Sequence, residues 1–323
     1  MEVKLAFVFP GQGSQYIGMG RALAIRFSSA QKAFDSAGKV LGFDVSSVCW
    51  EDPDRLCRTE YTQPAVLAVE IACLAVLADL GVSPAVVAGH SLGEYAALVA
   101  AGSLDAADAL RLVRSRGEIT GKVASRVDGG MAAILGMDRG SLEELLAAAG
   151  AEGVIAVSNY NCPGQVVVSG EAPAIDEVLE VAPSLGAKRA RRLAVAGPFH
   201  CPMMETAARE FEPLVARVDI GAPLVPVISN YDARAHTGSE AIAGNLVRQL
   251  CNPVRWEESV ARISTEGVDL FVEVGPGTVL SGLVRRCLPG SATFSVEDPD
   301  SFAGLLNLLE EGAGSPAAKA GGR

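Results

Sequence analysis

Apolar and polar positions divide the chain into short aliphatic runs and longer stretches of helical spacing. Residues 4–9 read as a buried strand, which Pro10-Gly11 breaks into a loop of Gly and Gln. From 63 to 80 apolar residues recur at helical spacing, and Gly81 stands where a C-cap is expected. Pro84 opens a second short strand at 85–88. Gly89-His90-Ser91-Leu92-Gly93 then turns directly into a helix over 94–101, ended by Gly102, and 105–118 predicts another helix.

The texture changes at Gly129-Gly130. Strands are predicted at 131–135, 154–157, 165–169 and 188–193, and helices at 142–149 and 174–181. The order β-α-β-β-α-β is the ferredoxin-like plan, and its short links fit a compact insertion. After Gly197-Pro198 the larger pattern resumes, with strands at 225–229, 270–274 and 292–295 and helices between them. The expected division is a large α/β domain over 1–127 and 198–310, a ferredoxin-like subdomain over 128–197, and a flexible tail over 311–323. The last residues, GAGSPAAKAGGR, are small and read as disordered.

Composition narrows the classes. With 49% hydrophobic and 20% charged residues the chain can build a sizeable core. Its aliphatic excess suits strands buried on both faces. A net charge of −11 argues against nucleic acid or an anionic membrane as partner. Seven cysteines form no C-x-x-C pair and are odd in number, so neither zinc nor a disulfide framework is indicated. With three histidines, no metal site is expected. The N-terminus resembles a first core strand more than a signal peptide, and no run approaches the ~18 apolar residues of a membrane span. The expectation is a soluble cytoplasmic protein with reduced thiols.

Strand, G-x-S-x-G, then helix is the context that makes Ser91 a candidate nucleophile. The N–H of Leu92 and the following helix N-terminus suit an oxygen that gains negative charge. Three histidines compete for the role of base. His90 lies on the tight turn, its ring either turned from the nucleophile's face or bordering the pocket. His236 sits in the polar stretch DARAHTGSE and reads as exposed surface. His200 ends the apolar run LAVAGPFH as the chain leaves the insertion, and by elimination it is the candidate base. No acid completes a triad.

At this point seven motifs fall into register. FVFPGQGSQ (7–15), GHSLGEYAAL (89–98), RLVRSRG (111–117), NYNCPGQVVVSG (159–170), GPFH (197–200), LVRQLCNPVRW (246–256) and EVGPG (273–277) resemble malonyl-CoA:acyl carrier protein transacylases and the acyltransferase domains of polyketide synthases. The resemblance runs to about residue 295. It implies that the large domain is α/β-hydrolase-like, that Ser91 is acylated and that His200 activates it. It further implies an oxyanion hole from the N–H groups of Gln12 and Leu92, and an Arg116 that grips the free malonyl carboxylate. A backbone carbonyl near Gln249 would orient the histidine where other hydrolases use aspartate. Asn161 and His90 fall among the substrate-binding positions. A ring at Phe199 is expected to crowd an α-methyl branch and so favour malonyl over methylmalonyl.

The activity so implied is ping-pong transfer of malonyl from malonyl-CoA to the phosphopantetheine thiol of an acyl carrier protein, with no bound cofactor. The carrier belongs either to fatty acid synthesis or to a polyketide synthase served by a discrete acyltransferase. Such carriers are acidic, as this chain is, so docking calls for a local basic patch. Lys188, Arg189, Arg191 and Arg192 form the densest one, readable equally as a solvated strand edge. A monomer is expected. A serine thioesterase would share the elbow but would want an acid between Ser91 and His200. A dinucleotide site fails on spacing, because Tyr16 and Leu280 stand where the last glycine of G-x-G-x-x-G is required.

Overall fold

The computed structural model describes residues 3–312. Nine strands occur among them: β1 (Leu5–Phe9), β2 (Val86–Gly89), β3 (Gly129–Leu135), β4 (Ile155–Cys162), β5 (Gln165–Glu171), β6 (Arg189–Arg192), β7 (Val227–Ile228), β8 (Leu270–Val274) and β9 (Ala292–Val296). They form two sheets. A five-stranded parallel sheet has the order β7-β2-β1-β8-β9, and a four-stranded antiparallel sheet has the order β4-β5-β3-β6.

Side chains alternate across a strand, so both faces of the parallel sheet can be traced from β1. Leu5, Phe7 and Phe9 enter the larger core with Leu67 and Ala68 of the helix Thr59–Asp79. Ala6 and Val8 face the other way, against Trp256, Val260, Leu280 and Leu283 of the helices Trp256–Ser264 and Val279–Cys287. Helices on both faces account for the unbroken aliphatic runs.

The helix Thr59–Asp79 packs between Ser28–Leu41 and Ala106–Ala124 and is buried nearly all round. It is also long and apolar enough to cross a membrane by length and composition. No unbroken apolar run of that length stands in the sequence, because Thr62, Gln63, Pro64 and Glu70 interrupt it. A helix apolar on every side is also the form a core helix takes, and here its surface meets protein.

The small sheet follows the predicted order, with the helices Arg139–Ala149 and Ala172–Val181 in the β-α-β-β-α-β positions. Ala132, Ile134 and Val168 pack under Leu142, Leu145, Ile175 and Val178 of those helices. The alternate residues, Met131 and Val167, line a cleft together with Ser91. Pairing ties the two sheets' surroundings together: Tyr160 N–H donates to Val254 O at 2.9 Å, and Val254 N–H donates to Ser158 O at 2.9 Å.

Several bounds differ from expectation. β7 keeps two residues of the expected five, since Pro226 has no N–H and Ser229 N–H turns to Arg234 O. The helix expected over 105–118 continues to Ala124, capped at its start by the Asp105 side chain. Four helices, Arg21–Arg26, Ser28–Leu41, Val45–Trp50 and Pro53–Leu56, fill a stretch left without elements. The helix Pro299–Gly312 takes the first two residues assigned to the tail, and 313–323 lie outside the described residues.

Candidate active site

The cleft opens at the carboxyl ends of β1 and β2, where open α/β sheets hold ligands. At the end of β2 the chain must reverse into the helix Gly93–Ala100 with no room for side chains at the turn. A Cβ on Gly89 would lie 1.9 Å from the carbonyl carbon of Gly93, and one on Gly93 would lie 2.1 Å from Phe9 O. Between them Ser91 is held at φ 52°, a left-handed conformation that costs a non-glycine residue energy. Asn230, just past β7, straps the turn. Its Oδ1 accepts from Ser91 N–H at 2.5 Å, and its Nδ2 donates to Gly89 O.

His200 meets the serine from the far side of the cleft. Its Nε2 lies 2.7 Å from Ser91 Oγ, and its Nδ1 lies 2.7 Å from Gln249 O. A carbonyl only accepts, so Nδ1 carries the proton and Nε2 is left as a base. Burial, then the nearby Arg116 charge, push the His200 pKa down to about 3. The carbonyl expected near Gln249 is that of Gln249 itself.

Arg116 is 4% exposed on the helix Ala106–Ala124. Nη1 donates to Gln63 Oε1 at 2.6 Å, and Nη2 lies 2.9 Å from Ser91 Oγ and 3.0 Å from Gln249 Oε1. No carboxylate among the described residues pairs with it, and its Nε has no partner there. A buried guanidinium satisfied only by neutral oxygens is an open seat for an anion.

The remaining expected residues gather around this centre. Gln12 lines the cleft, its side chain fixed by Thr59 Oγ1 at 2.7 Å. The N–H groups of Gln12 and Leu92 donate to no backbone acceptor among the described residues. His90 borders the cleft, with Nε2 3.0 Å from Asn161 Oδ1. Phe199 lines it beside His200. The enclosed space, about 260 Å³, continues past Val195 and Val279 to the surface.

One expectation is corrected. His236 is buried, with its Nε2 3.0 Å from Glu94 Oε1, because the bridge between Ile228 and Ala235 folds its loop back onto β7. Three residues that pattern reading did not single out also meet here: Gln63, Glu94 and Asn230. Gln63 and Glu94 carry a faint signal, as polar side chains in otherwise apolar helical runs. Asn230 carries another, as the residue just past a parallel strand's carboxyl end.

A serine bonded to a histidine on a strained strand-to-helix turn, beside unpaired peptide N–H groups, is a geometry for passing acyl groups between nucleophiles. The chain belongs to the acyl transferase domain family, whose model matches residues 6–298. It is 44% identical over 310 residues to the malonyl CoA-acyl carrier protein transacylase of Bacillus subtilis, covering 95% of this chain and 98% of that one. An acyl carrier protein S-malonyltransferase of Vibrio cholerae superposes with a TM-score of 0.90 at 40% identity, covering 94% and 99% of the two chains. A malonyl-transacylase in complex with its type II PKS acyl-carrier protein gives 0.91 at 39% identity, covering 95% and 99%.

Proposed function

We propose that this protein moves the malonyl group of malonyl-CoA onto the phosphopantetheine thiol of an acyl carrier protein, by way of an ester on Ser91. The single observation that carries the substrate is Arg116, a buried cation with no acidic partner among the described residues, whose Nη2 lies 2.9 Å from Ser91 Oγ. A malonyl thioester brings a carboxylate two bonds beyond the carbonyl under attack, and a guanidinium takes it bidentately.

In this reading His200 Nε2 takes the Ser91 proton as Oγ attacks the thioester carbonyl. The resulting oxyanion is held by the N–H groups of Leu92 and Gln12. CoA leaves as the thiol, taking the proton from His200. The carrier's thiol then enters, gives its proton to His200 and attacks the ester, and the oxyanion collapses to release Ser91, whose Oγ takes that proton back from His200. Gln249 O keeps the imidazole in one tautomer throughout, the part that an aspartate takes in other serine enzymes. Asn161 and His90 line the approach of the pantetheine arm, and Phe199 narrows the space for an α-methyl branch. The cycle calls for no cofactor.

Large and small domains are divided in this proposal at 127/128 and 197/198, so that the cleft lies between them. Seven free cysteines support a reducing, cytoplasmic setting, and the acting form in this proposal is a monomer. Fatty acid synthesis is the proposed destination of the malonyl group. The complex with a type II PKS acyl-carrier protein supports a polyketide carrier as the second reading.

Arg116→Ala tests the substrate assignment. We expect malonyl loading relative to acetyl loading to fall about a hundredfold, the scale of a lost buried ion pair, and hydrolysis to rise relative to transfer. An unchanged ratio in single-turnover loading refutes the role of Arg116.

A further inference from the structure

The pair Ser91–His200 has no acid at His200 Nδ1, yet an acid is buried one side chain away. Glu94 lies on the first turn after the nucleophile and is fully buried. Its Oε2 accepts from Gln249 Nε2 at 2.6 Å and from Asn230 N–H at 3.2 Å, and its Oε1 faces His236 Nε2 at 3.0 Å. It touches neither His200 nor Arg116. What it touches is the residue that joins them.

Gln249 is where the site's hydrogen bonds converge. Its backbone carbonyl accepts from His200, and its side-chain Oε1 accepts from Arg116 Nη2 at 3.0 Å. An amide has two unlike ends of nearly equal shape, and only the oxygen end attracts a guanidinium. The choice between ends is made on the other side of Gln249. There Nε2 donates one hydrogen to Ser91 O at 3.0 Å and the other to Glu94 Oε2. Carbonyl and carboxylate oxygens both only accept, so both amide hydrogens are committed and Oε1 must face Arg116. His236 holds the other carboxylate oxygen, which fixes the plane of the Glu94 head.

We infer that Glu94 and His236 are a positioning pair that sets the orientation of the Gln249 amide and so aims Arg116 at the acyl group on Ser91. The pair acts on which acyl group is accepted more than on the attack itself. This inference rests on the malonyl transfer proposed above and adds two residues to its specificity.

Glu94→Gln tests it with little change of shape, since the new amide can offer Gln249 a donor and let it flip. We expect the ratio of malonyl to acetyl loading, read as single-turnover kcat/KM on intact protein, to fall about tenfold, within the range of coupling in one hydrogen-bond network. The malonyl loss should appear chiefly as a raised KM. In an Arg116→Ala background the same change should leave the ratio unmoved. A merely structural role predicts equal loss for both acyl groups, or a ratio that still moves without Arg116, and either result overturns the inference. Should Glu94→Gln not fold, His236→Ala and His236→Gln carry the test. The first is expected to lower the ratio and the second, which keeps a donor, to preserve it. Equal ratios in those two variants overturn the inference as well. Wild-type protein that loads no malonyl at all would instead overturn the proposed function beneath it.

Discussion

In the proposed cycle His200 must be neutral to act as a base and buried to face Ser91, and each condition reinforces the other. Burial, followed by the Arg116 charge, pushes its pKa down to about 3, whereas in the unfolded chain it titrates near 6.5. Below pH 6.5 the unfolded chain therefore binds a proton that the fold refuses. Stability falls as pH drops from there and levels off near pH 3. By pH 5 this group alone costs about 2 kcal/mol. Denaturant unfolding at pH 7.5 and 5.0 checks the sign: wild type should lose about 2 kcal/mol more than His200→Gln, and equal losses contradict it. At this scale the sequence offered Ser91 from the G-x-S-x-G turn and His200 by elimination among three histidines, and the structure sets the two side chains 2.7 Å apart. The sequence yielded Arg116 and Gln249 only through the family resemblance, since nothing about one arginine among several on a helix marks it as buried. Glu94, Gln63 and Asn230 stayed hidden because their roles exist only across the fold, 155 residues apart in the case of Glu94 and Gln249. His236 departs from expectation for the same reason: its sequence neighbours are polar and largely exposed, while its own ring is buried against Glu94.

Among the elements, those with strong local periodicity were legible. The β-α-β-β-α-β order of the insertion and the strands β1, β2, β8 and β9 follow from aliphatic runs bounded by Gly and Pro. The bounds shifted where tertiary contacts decide them. The helix Thr59–Asp79 starts four residues before its apolar run, where Thr59 and Gln63 look into the site instead of the core. The helices Arg21–Arg26, Val45–Trp50 and Pro53–Leu56 have too few turns for their amphipathic pattern to stand out, whereas Ser28–Leu41, with Ala30, Phe34, Ala37 and Leu41 buried, carries a pattern that is legible at helical spacing. β7 is reduced by Pro226 to a two-residue edge, yet it delivers Asn230 to the elbow. Short elements near the site are thus set by what they hold, and pattern alone reads them least well.

For the molecule as a whole, a net charge of −11 opposes an acidic partner, so docking calls for a local exception. Lys188, Arg189, Arg191 and Arg192 are all exposed on or beside β6, the edge of the small sheet. Arg192 pairs with Asp176, while Arg189 and Arg191 alternate onto the side of Leu193, which pairs with Met131 and lines the cleft with Val195. The patch thus borders the mouth through which a carrier's arm would enter. Reversing both charges, Arg189→Glu with Arg191→Glu, should raise the carrier-protein KM about tenfold and leave malonyl loading from CoA unchanged. An unchanged KM removes the patch from the account. The central claim, that Ser91 carries malonyl between CoA and a carrier, is tested most directly by intact mass. Wild type and Ser91→Ala would each be mixed with equal malonyl-, methylmalonyl- and acetyl-CoA, then treated with pantetheinylated carrier protein. The account predicts one malonyl adduct, on wild type only, that the carrier discharges. A methylmalonyl adduct would overturn the reading of Phe199, and steady release of free CoA with no adduct and no loaded carrier would contradict the claim itself.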